Sequence, residues 1–219
     1  MDIVPKYPRT YHWPWSPQVH QDDSYHRDPT VFVGPEVVIT EKLDGGNTCL
    51  ARGDVFARST GQRATAGWFA MVRKHHAYKT VGFPEDLYTY GEDLFGIHSI
   101  AYDPISESGT YFVFGARRAD VWYSWSDLVI HAADMGLRTV PLLFRGAFKS
   151  VDEITAWMHA RIKQPSTIGP QTEGFVIRFA DSFHNSEFQT KVAKYVRKDH
   201  VQTDEHWTKN WKPATLLRE

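Results

Sequence analysis

Strand-like and helical spacings of apolar residues follow one another along the chain, and each change of spacing marks an element. Val37-Val38-Ile39 is β-branched and opens an expected strand over residues 36–42. A second strand is expected over about 48–58, closing with Val55-Phe56-Ala57-Arg58-Ser59. Between them, Glu41-Lys42-Leu43-Asp44-Gly45-Gly46-Asn47 sets a lysine in a short apolar run that stops at two glycines. Strand alternation puts Lys42 and Asp44 on one face and Glu41 and Leu43 on the other. Gly45-Gly46 is expected to turn the chain through positive φ or to let the backbone approach a ligand. An amine and a carboxylate would then stand together at the mouth of a turn, which suits a nucleophilic lysine. Taken alone, the stretch reads equally as a surface hairpin with ordinary charges.

Ala66 to Tyr78 carries apolar residues at Trp68, Phe69, Met71 and Val72, the pattern of an amphipathic helix. Its Arg73, Lys74, His75 and His76 are expected on a solvated face, with RNA contact as the alternative. Leu87 to Glu92 reads as a strand ending in an acid, and Tyr111-Phe112-Val113-Phe114 as a buried one. Ser124 to Gly136 has the hydroxyl start and glycine end of a helix. Ser150-Val151-Asp152-Glu153 matches a capping box opening a helix to about Arg161. Strands are expected again over Gln171–Phe179 and Lys191–Arg197. Residues 1–35 show no clear period and read as irregular with short strands, packed down by Tyr11, Trp13 and Trp15. Many strands and few helices predict an α+β protein on largely antiparallel sheets with flanking helices. No repeat, low-complexity tract or linker divides the chain. One domain over 1–219 is expected, with the irregular segment 1–35 and a short C-terminal tail 198–219.

Composition narrows the chemistry only a little. A length of 219 residues and a hydrophobic content of 42% suffice for one well-cored globular domain. The net charge of -1 excludes a globally basic surface, so any polyanion site must be a local concentration of Lys and Arg. A single cysteine, Cys49, rules out a disulfide within the chain and reads as a small core residue. Eleven histidines include no H-E-x-x-H spacing. With no apolar stretch near 18 residues and no signal-peptide pattern, a reducing cytoplasm and no membrane are expected.

Taken together, six stretches carry a resemblance. They are Lys42-Leu43-Asp44-Gly45, Ala57-Arg58-Ser59, Tyr90-Gly91-Glu92, Tyr111 to Phe114, Glu173-Gly174-Phe175-Val176 and the strand holding Lys191 and Lys194. In this order and spacing, over roughly residues 36–197, they resemble the covalent nucleotidyltransferase superfamily of ATP-dependent ligases and capping enzymes. The likeness is greatest to its phage and RNA-editing RNA ligase branch. Asn47 stands where DNA ligases usually carry arginine, and Asp93 to Ile100 resembles the RNA ligase continuation. Asp44 pulls the other way, matching the DNA ligase form of the lysine motif. About 25 residues follow Lys194, too few for the OB-fold of DNA ligases and capping enzymes.

The resemblance implies a nucleotidyltransferase (ATP-grasp-like adenylation) fold without an OB-fold. It implies an ATP-dependent RNA ligase using ATP and Mg²⁺, with Mn²⁺ as a substitute. Lys42 would attack the α-phosphorus of ATP to form a lysyl-AMP. The AMP would pass to a 5′-phosphate, and a 3′-hydroxyl would then displace it. A free lysine has a pKa of about 10.4, so its ammonium form must be disfavoured, a task expected of Lys191, Lys194 and the metal. By matching motif, Glu41 would accept from the adenine amine and Phe114 would stack on the base. Arg58 and Glu92 would contact ribose or phosphate, Glu173 would hold the metal, and Asn47 would lie near the joining ends. Phe114 reads equally as core, and Arg178 and Arg197 read equally as phosphate contacts or solvated charges and stay outside the expected site. The implied partner is RNA with 5′-phosphate and 3′-hydroxyl ends, in a nicked duplex or RNA/DNA hybrid, healed by a kinase-phosphatase. The competing readings are a compact DNA ligase and a non-catalytic RNA-end-binding module.

Overall fold

The computed structural model describes residues 3–17, 24–198 and 210–217. The N-terminal segment contributes β1 (Tyr11–His12). β2 (Val37–Lys42) runs into the lysine loop, and β3 (Gly46–Ala51) and β4 (Asp54–Ala57) leave it as a hairpin. After α1 (Ala70–His76) come β5 (Leu87–Asp93), β6 (Gly96–Ile97), β7 (Tyr111–Arg118) and β8 (Val121–Trp122). Next are α2 (Trp125–Asp134), β9 (Arg138–Thr139), β10 (Leu142–Gly146) and α3 (Val151–Arg161). The chain then forms β11 (Gly174–Phe179), β12 (Phe183–His184), α4 (Phe188–Lys191), β13 (Val192–Val196) and β14 (Lys212–Pro213). One sheet has the order β1-β13-β11-β2-β10; the other has β12-β8-β7-β5-β3-β4, with β9 beside β7. All these pairings are antiparallel except β1 with β13 and β7 with β9.

Alternation in β2 explains how the first sheet is sided. Val37 and Ile39 join Phe175, Ile177, Ala193 and Tyr195 in a buried layer under Ile154 and Met158 of α3. Thr40, Lys42, Val176 and Lys194 come from the other face of the same strands and line a cleft. Ser150 caps α3 by accepting from the Glu153 N–H at 3.1 Å. The second sheet packs Leu50, Tyr111 and Val113 with Val72 of α1 and Leu128 and Ala132 of α2. A third cluster, including Cys49, Tyr90, Trp122, Phe188 and Val192, joins the two sheets beyond the cleft.

Several expectations are corrected. The strand expected over 48–58 is the β3–β4 hairpin, because Arg52 (φ 53°) and Gly53 (φ 72°) reverse the chain. His76 is not on a solvated face; it is buried, and its ring nitrogen meets the Ser108 carbonyl at 2.9 Å. Trp13 is fully buried and its indole N–H donates to Thr155, while Trp15 is half-exposed and leans on the Trp13 ring at 6.4 Å. Neither Gly45 nor Gly46 takes positive φ. A side chain at Gly45 would collide with the Asp93 carbonyl oxygen and lie 2.8 Å from Leu94 Cδ2, so the glycine lets the chain pack closely against β5. Of the expected tail, residues 199–209 and 218–219 lie outside the described residues. β14 pairs with β6, and Trp211 packs against Trp68 and Phe95.

Gly174 is the tightest point between β11 and β13, where a methyl group would overlap the Tyr195 carbonyl oxygen and sit 3.0 Å from Val196 Cα. Gly174→Ala should cost about 2–3 kcal/mol as an overpacking change. Thermal denaturation should show a melting temperature about 5–10 °C lower.

Candidate active site

The cleft between the sheets holds about 310 Å³. Lys42 stands at its floor, at the end of β2, because β11 pairs with β2 in a register that sets Gly174 opposite Lys42. Glu173, one residue earlier, thereby meets the lysine, and Lys42 Nζ donates to Glu173 Oε1 at 2.5 Å. The glutamate side chain is 4% exposed and the lysine 29%. Burial disfavours the ammonium, but Glu173, Glu92 and Asp44 outweigh it and raise the Lys42 pKa above the ordinary lysine value. The charges that act on Lys42 here are carboxylates, although Lys194, Arg58 and Arg178 line the same cleft. In this state Lys42 is a held ammonium ion. Glu92 lies on β5 opposite Asn47 of β3, and its Oε1 accepts the Gly45 N–H at 3.1 Å. Burial pushes the Glu92 carboxyl well above the usual range; Lys42 opposes this and Glu173 adds to it.

Asp44 lies beyond the end of β2 and so does not share a strand face with Lys42, although its charge acts on the lysine. Its Oδ2 accepts from the Ser99 N–H, the Ser99 hydroxyl and the Ile100 N–H at 2.7–2.9 Å, and its own N–H donates to the Tyr102 hydroxyl oxygen. Asp44 therefore ties the lysine loop to the segment after β6. Glu41 and Asn47 line the cleft, and each presents a buried side-chain oxygen, Oε1 and Oδ1 respectively, with no hydrogen-bond partner. Buried acceptors are rarely left unmet, and two in one cleft mark places for ligand donors. Arg58 and Phe114 line the same space, as does Lys194 on β13.

Lys191 is the expected site residue that the fold takes elsewhere. It ends α4, ion-pairs with Glu187 at 2.9 Å, lies over the Phe179 and Phe183 rings, and does not line the cleft. The physical reason is the helix itself: β13 starts only at Val192, so Lys191 does not share the strand alternation that turns Lys194 inward.

Two features of the cleft lay outside the expected site. Tyr7, Pro8, Arg9 and Thr10 form one wall of the cleft, Tyr7 meeting Phe114 edge-on at 4.9 Å while its carbonyl accepts from Arg58 Nε. An aperiodic segment gave no signal for this. Arg178, also in the cleft, donates to the Tyr123 carbonyl at 2.5 Å, and burial lowers its pKa to about 10. Its even spacing from Gly174 and Val176 on one strand was the signal available.

Glu173 and Glu92 bring two carboxyl groups beside the lysine at the floor of the cleft. That donor set fits Mg²⁺ or Mn²⁺, hard cations that take one or two carboxylates and complete their shells with water and phosphate oxygens. Glu173 and Glu92 are the residues that would hold such an ion. No group of three or more His, Cys, Asp or Glu suited to a metal occurs among the described residues.

Two facing sheets with the lysine between them make the fold of ligase nucleotidyltransferase domains. The RNA ligase family matches residues 35–196, and the chain belongs to that family. No curated protein matches the sequence. Similar solved structures include a mutant of Naegleria gruberi RNA ligase with ATP and Mn, at a TM-score of 0.58 and 17% identity, covering 91% of this chain and 58% of that one. Others are a putative ATP-dependent DNA ligase from Aquifex aeolicus, at 0.53 and 16%, covering 90% and 51%, and an archaeal ATP-dependent RNA ligase, at 0.52 and 14%, covering 89% and 48%. The chain spans about half of the length of these proteins. At such identities the likeness concerns the fold.

Asp93, beside the lysine loop, is 1% exposed, and burial lifts its carboxyl to about 7 despite the Phe95 N–H it accepts. A raised folded-state pKa stabilises the protein fully at low pH and is lost as pH climbs from about 4 through about 7. Asp93→Asn should therefore gain stability relative to wild type across that window and level off above it. Denaturant unfolding at pH 5 and pH 8 checks the sign.

Proposed function

We propose that this chain is the adenylation domain of an ATP-dependent RNA ligase that joins 3′-hydroxyl and 5′-phosphate ends. One observation carries the reading: a half-buried lysine at the floor of a cleft whose walls offer unmet acceptors at Glu41 and Asn47 and cations at Arg58, Arg178 and Lys194. Glu41 Oε1 would accept the adenine amine, and Phe114 would face the base. Arg58 would contact the ribose, and Lys194 and Arg178 the α-phosphate. Lys42 Nζ, its ammonium proton released to water, would attack the α-phosphorus; the phosphorus–nitrogen bond forms as the bond to pyrophosphate breaks. A divalent cation bound at Glu173 and Glu92 would supply the positive charge that stabilises the phosphate and offsets the carboxylates holding the ammonium. The lysyl-AMP would then pass AMP to the 5′-phosphate, and Asn47 Oδ1 would orient the 3′-hydroxyl that displaces it. Catalysis of this kind is mainly positioning and charge neutralisation, which suits a cleft so supplied.

The RNA itself, its presentation in a nicked duplex or RNA/DNA hybrid, and a partner that heals damaged ends belong to the same reading. No helix among the described residues is long and apolar enough to cross a membrane. A single buried free cysteine fits a reducing compartment such as the cytoplasm.

Incubation with Mg²⁺ and ATP labelled on the α-phosphate, followed by a denaturing gel, tests the proposal. Wild type should retain label; Lys42→Ala and a chelator should each abolish it, and GTP should give none. Protein isolated already adenylylated is first stripped with pyrophosphate, and absence of label after stripping would sink the reading. In the same assay Lys194→Ala should lose label at least about 100-fold as a lost charge-stabilising contact. Lys191→Ala should stay within about twofold, since its partner is an exposed surface carboxylate.

A further inference from the structure

The two oxygens of Glu41 are treated differently by the fold. Glu41 is 1% exposed. Its Oε2 accepts two hydrogen bonds from one residue, Thr167: the backbone N–H at 3.1 Å and the hydroxyl at 2.8 Å. Its Oε1 has no partner. Thr167 sits in the loop between α3 and β11, 126 residues away in sequence. That loop is itself fastened down. Ile168 N–H donates to the Ser166 hydroxyl at 3.1 Å, and the Ile168 carbonyl accepts from Asp103 N–H at 3.0 Å. Gly169 packs so closely on Tyr102 that a Cβ there would lie 2.9 Å from its ring.

A glutamate has rotatable bonds that would let its carboxylate turn away, and two donors on one oxygen remove that freedom. They also saturate Oε2, so any donor arriving in the cleft meets Oε1. We infer that Thr167 is a positioning residue that aims Glu41 Oε1 at the 6-position of the purine, and so sets the preference for a 6-amino over a 6-oxo or unsubstituted base. The inference rests on the adenylation reading above. Adenine offers an N–H donor at position 6 and is accepted. Guanine offers a carbonyl oxygen, which a fixed carboxylate oxygen repels, and purine riboside offers nothing. A pocket built to accept a hydrogen bond rejects analogues lacking the donor because its own buried group is then left unmet.

The test measures lysyl-nucleotide formation by wild type, Thr167→Val and Thr167→Ser with ATP, GTP and purine riboside 5′-triphosphate, extracting KM and the maximal rate for each. Valine keeps the shape and the backbone N–H but loses the hydroxyl; serine keeps both donors. Wild type should prefer ATP over purine riboside triphosphate, and Thr167→Val should erode that preference about five- to tenfold through the KM for ATP. The maximal rate should hold, and Thr167→Ser should restore the preference. Unchanged discrimination in Thr167→Val, or an equal loss with every nucleotide, overturns the role of Thr167 while leaving the ligase reading in place. A wild type that forms no lysyl-nucleotide with any of the three overturns both.

Discussion

The ion pair of Lys42 with Glu173 is the contact on which the site depends, and its geometry is set by a strand register rather than by either side chain. β11 lies against β2 so that Gly174 faces Lys42, and Glu173 is therefore delivered to the lysine amine from the residue just before the strand. The same ladder needs Gly174 to be small, because β13 presses against it from the other side. Buried pairs of this sort are weak contributors to stability, since desolvation offsets most of the attraction; losing one partner costs about 3–5 kcal/mol because the other is left buried and uncompensated. Two further acids beside one lysine make the arrangement poorer still as a stabilising device. Under the adenylation reading its use is chemical: a lysine held as an ammonium ion beside oxygen ligands suited to a divalent cation.

The division of labour between the sheets follows from alternation. In the first sheet β2, β11 and β13 send Val37, Ile39, Phe175, Ile177, Ala193 and Tyr195 toward α3 and Thr40, Lys42, Val176, Arg178 and Lys194 to the cleft, so core and site share three strands. The second sheet supplies Asn47, Glu92 and Phe114 from β3, β5 and β7, while its opposite face holds α1 and α2. The turn that follows Lys42 is tied twice: Gly45 donates to Glu92, and Asp44 takes three hydrogen bonds from residues 99 and 100. The C-terminal segment adds a third tie, β14 pairing with β6 just before those residues. A mobile lysine would lose the near-attack geometry on which phosphoryl transfer relies, so this bracing is part of the site.

Local pattern was enough for much of the framework. The β-branched run at residues 37–39, the capped helix from Ser150 and the acid-ended strand at 87–92 have local signatures, and each forms within a few residues of its expected bounds. Boundaries failed where the backbone does something unusual, as at the Arg52-Gly53 reversal. The motif set that resembles ligases, from Lys42 to Lys194, lies within the span matched by the RNA ligase family.

By itself, then, the sequence determined the strand-rich class, the family and the residue types available for chemistry, because alternation and ordered motifs are local properties that survive without coordinates. Tertiary structure alone decided which of those residues meet. Lys191 and Lys194 are indistinguishable in sequence, yet one ends a helix on Glu187 and the other faces the cleft, as one turn of α4 ends between them. Arg178 and the Tyr7–Thr10 wall enter the site, and Thr167 reaches Glu41, through pairings of residues far apart in the chain. From sequence the Lys42 ammonium is expected to be disfavoured; packing raises its pKa instead, because Glu173, Glu92 and Asp44 are the charges that share its space.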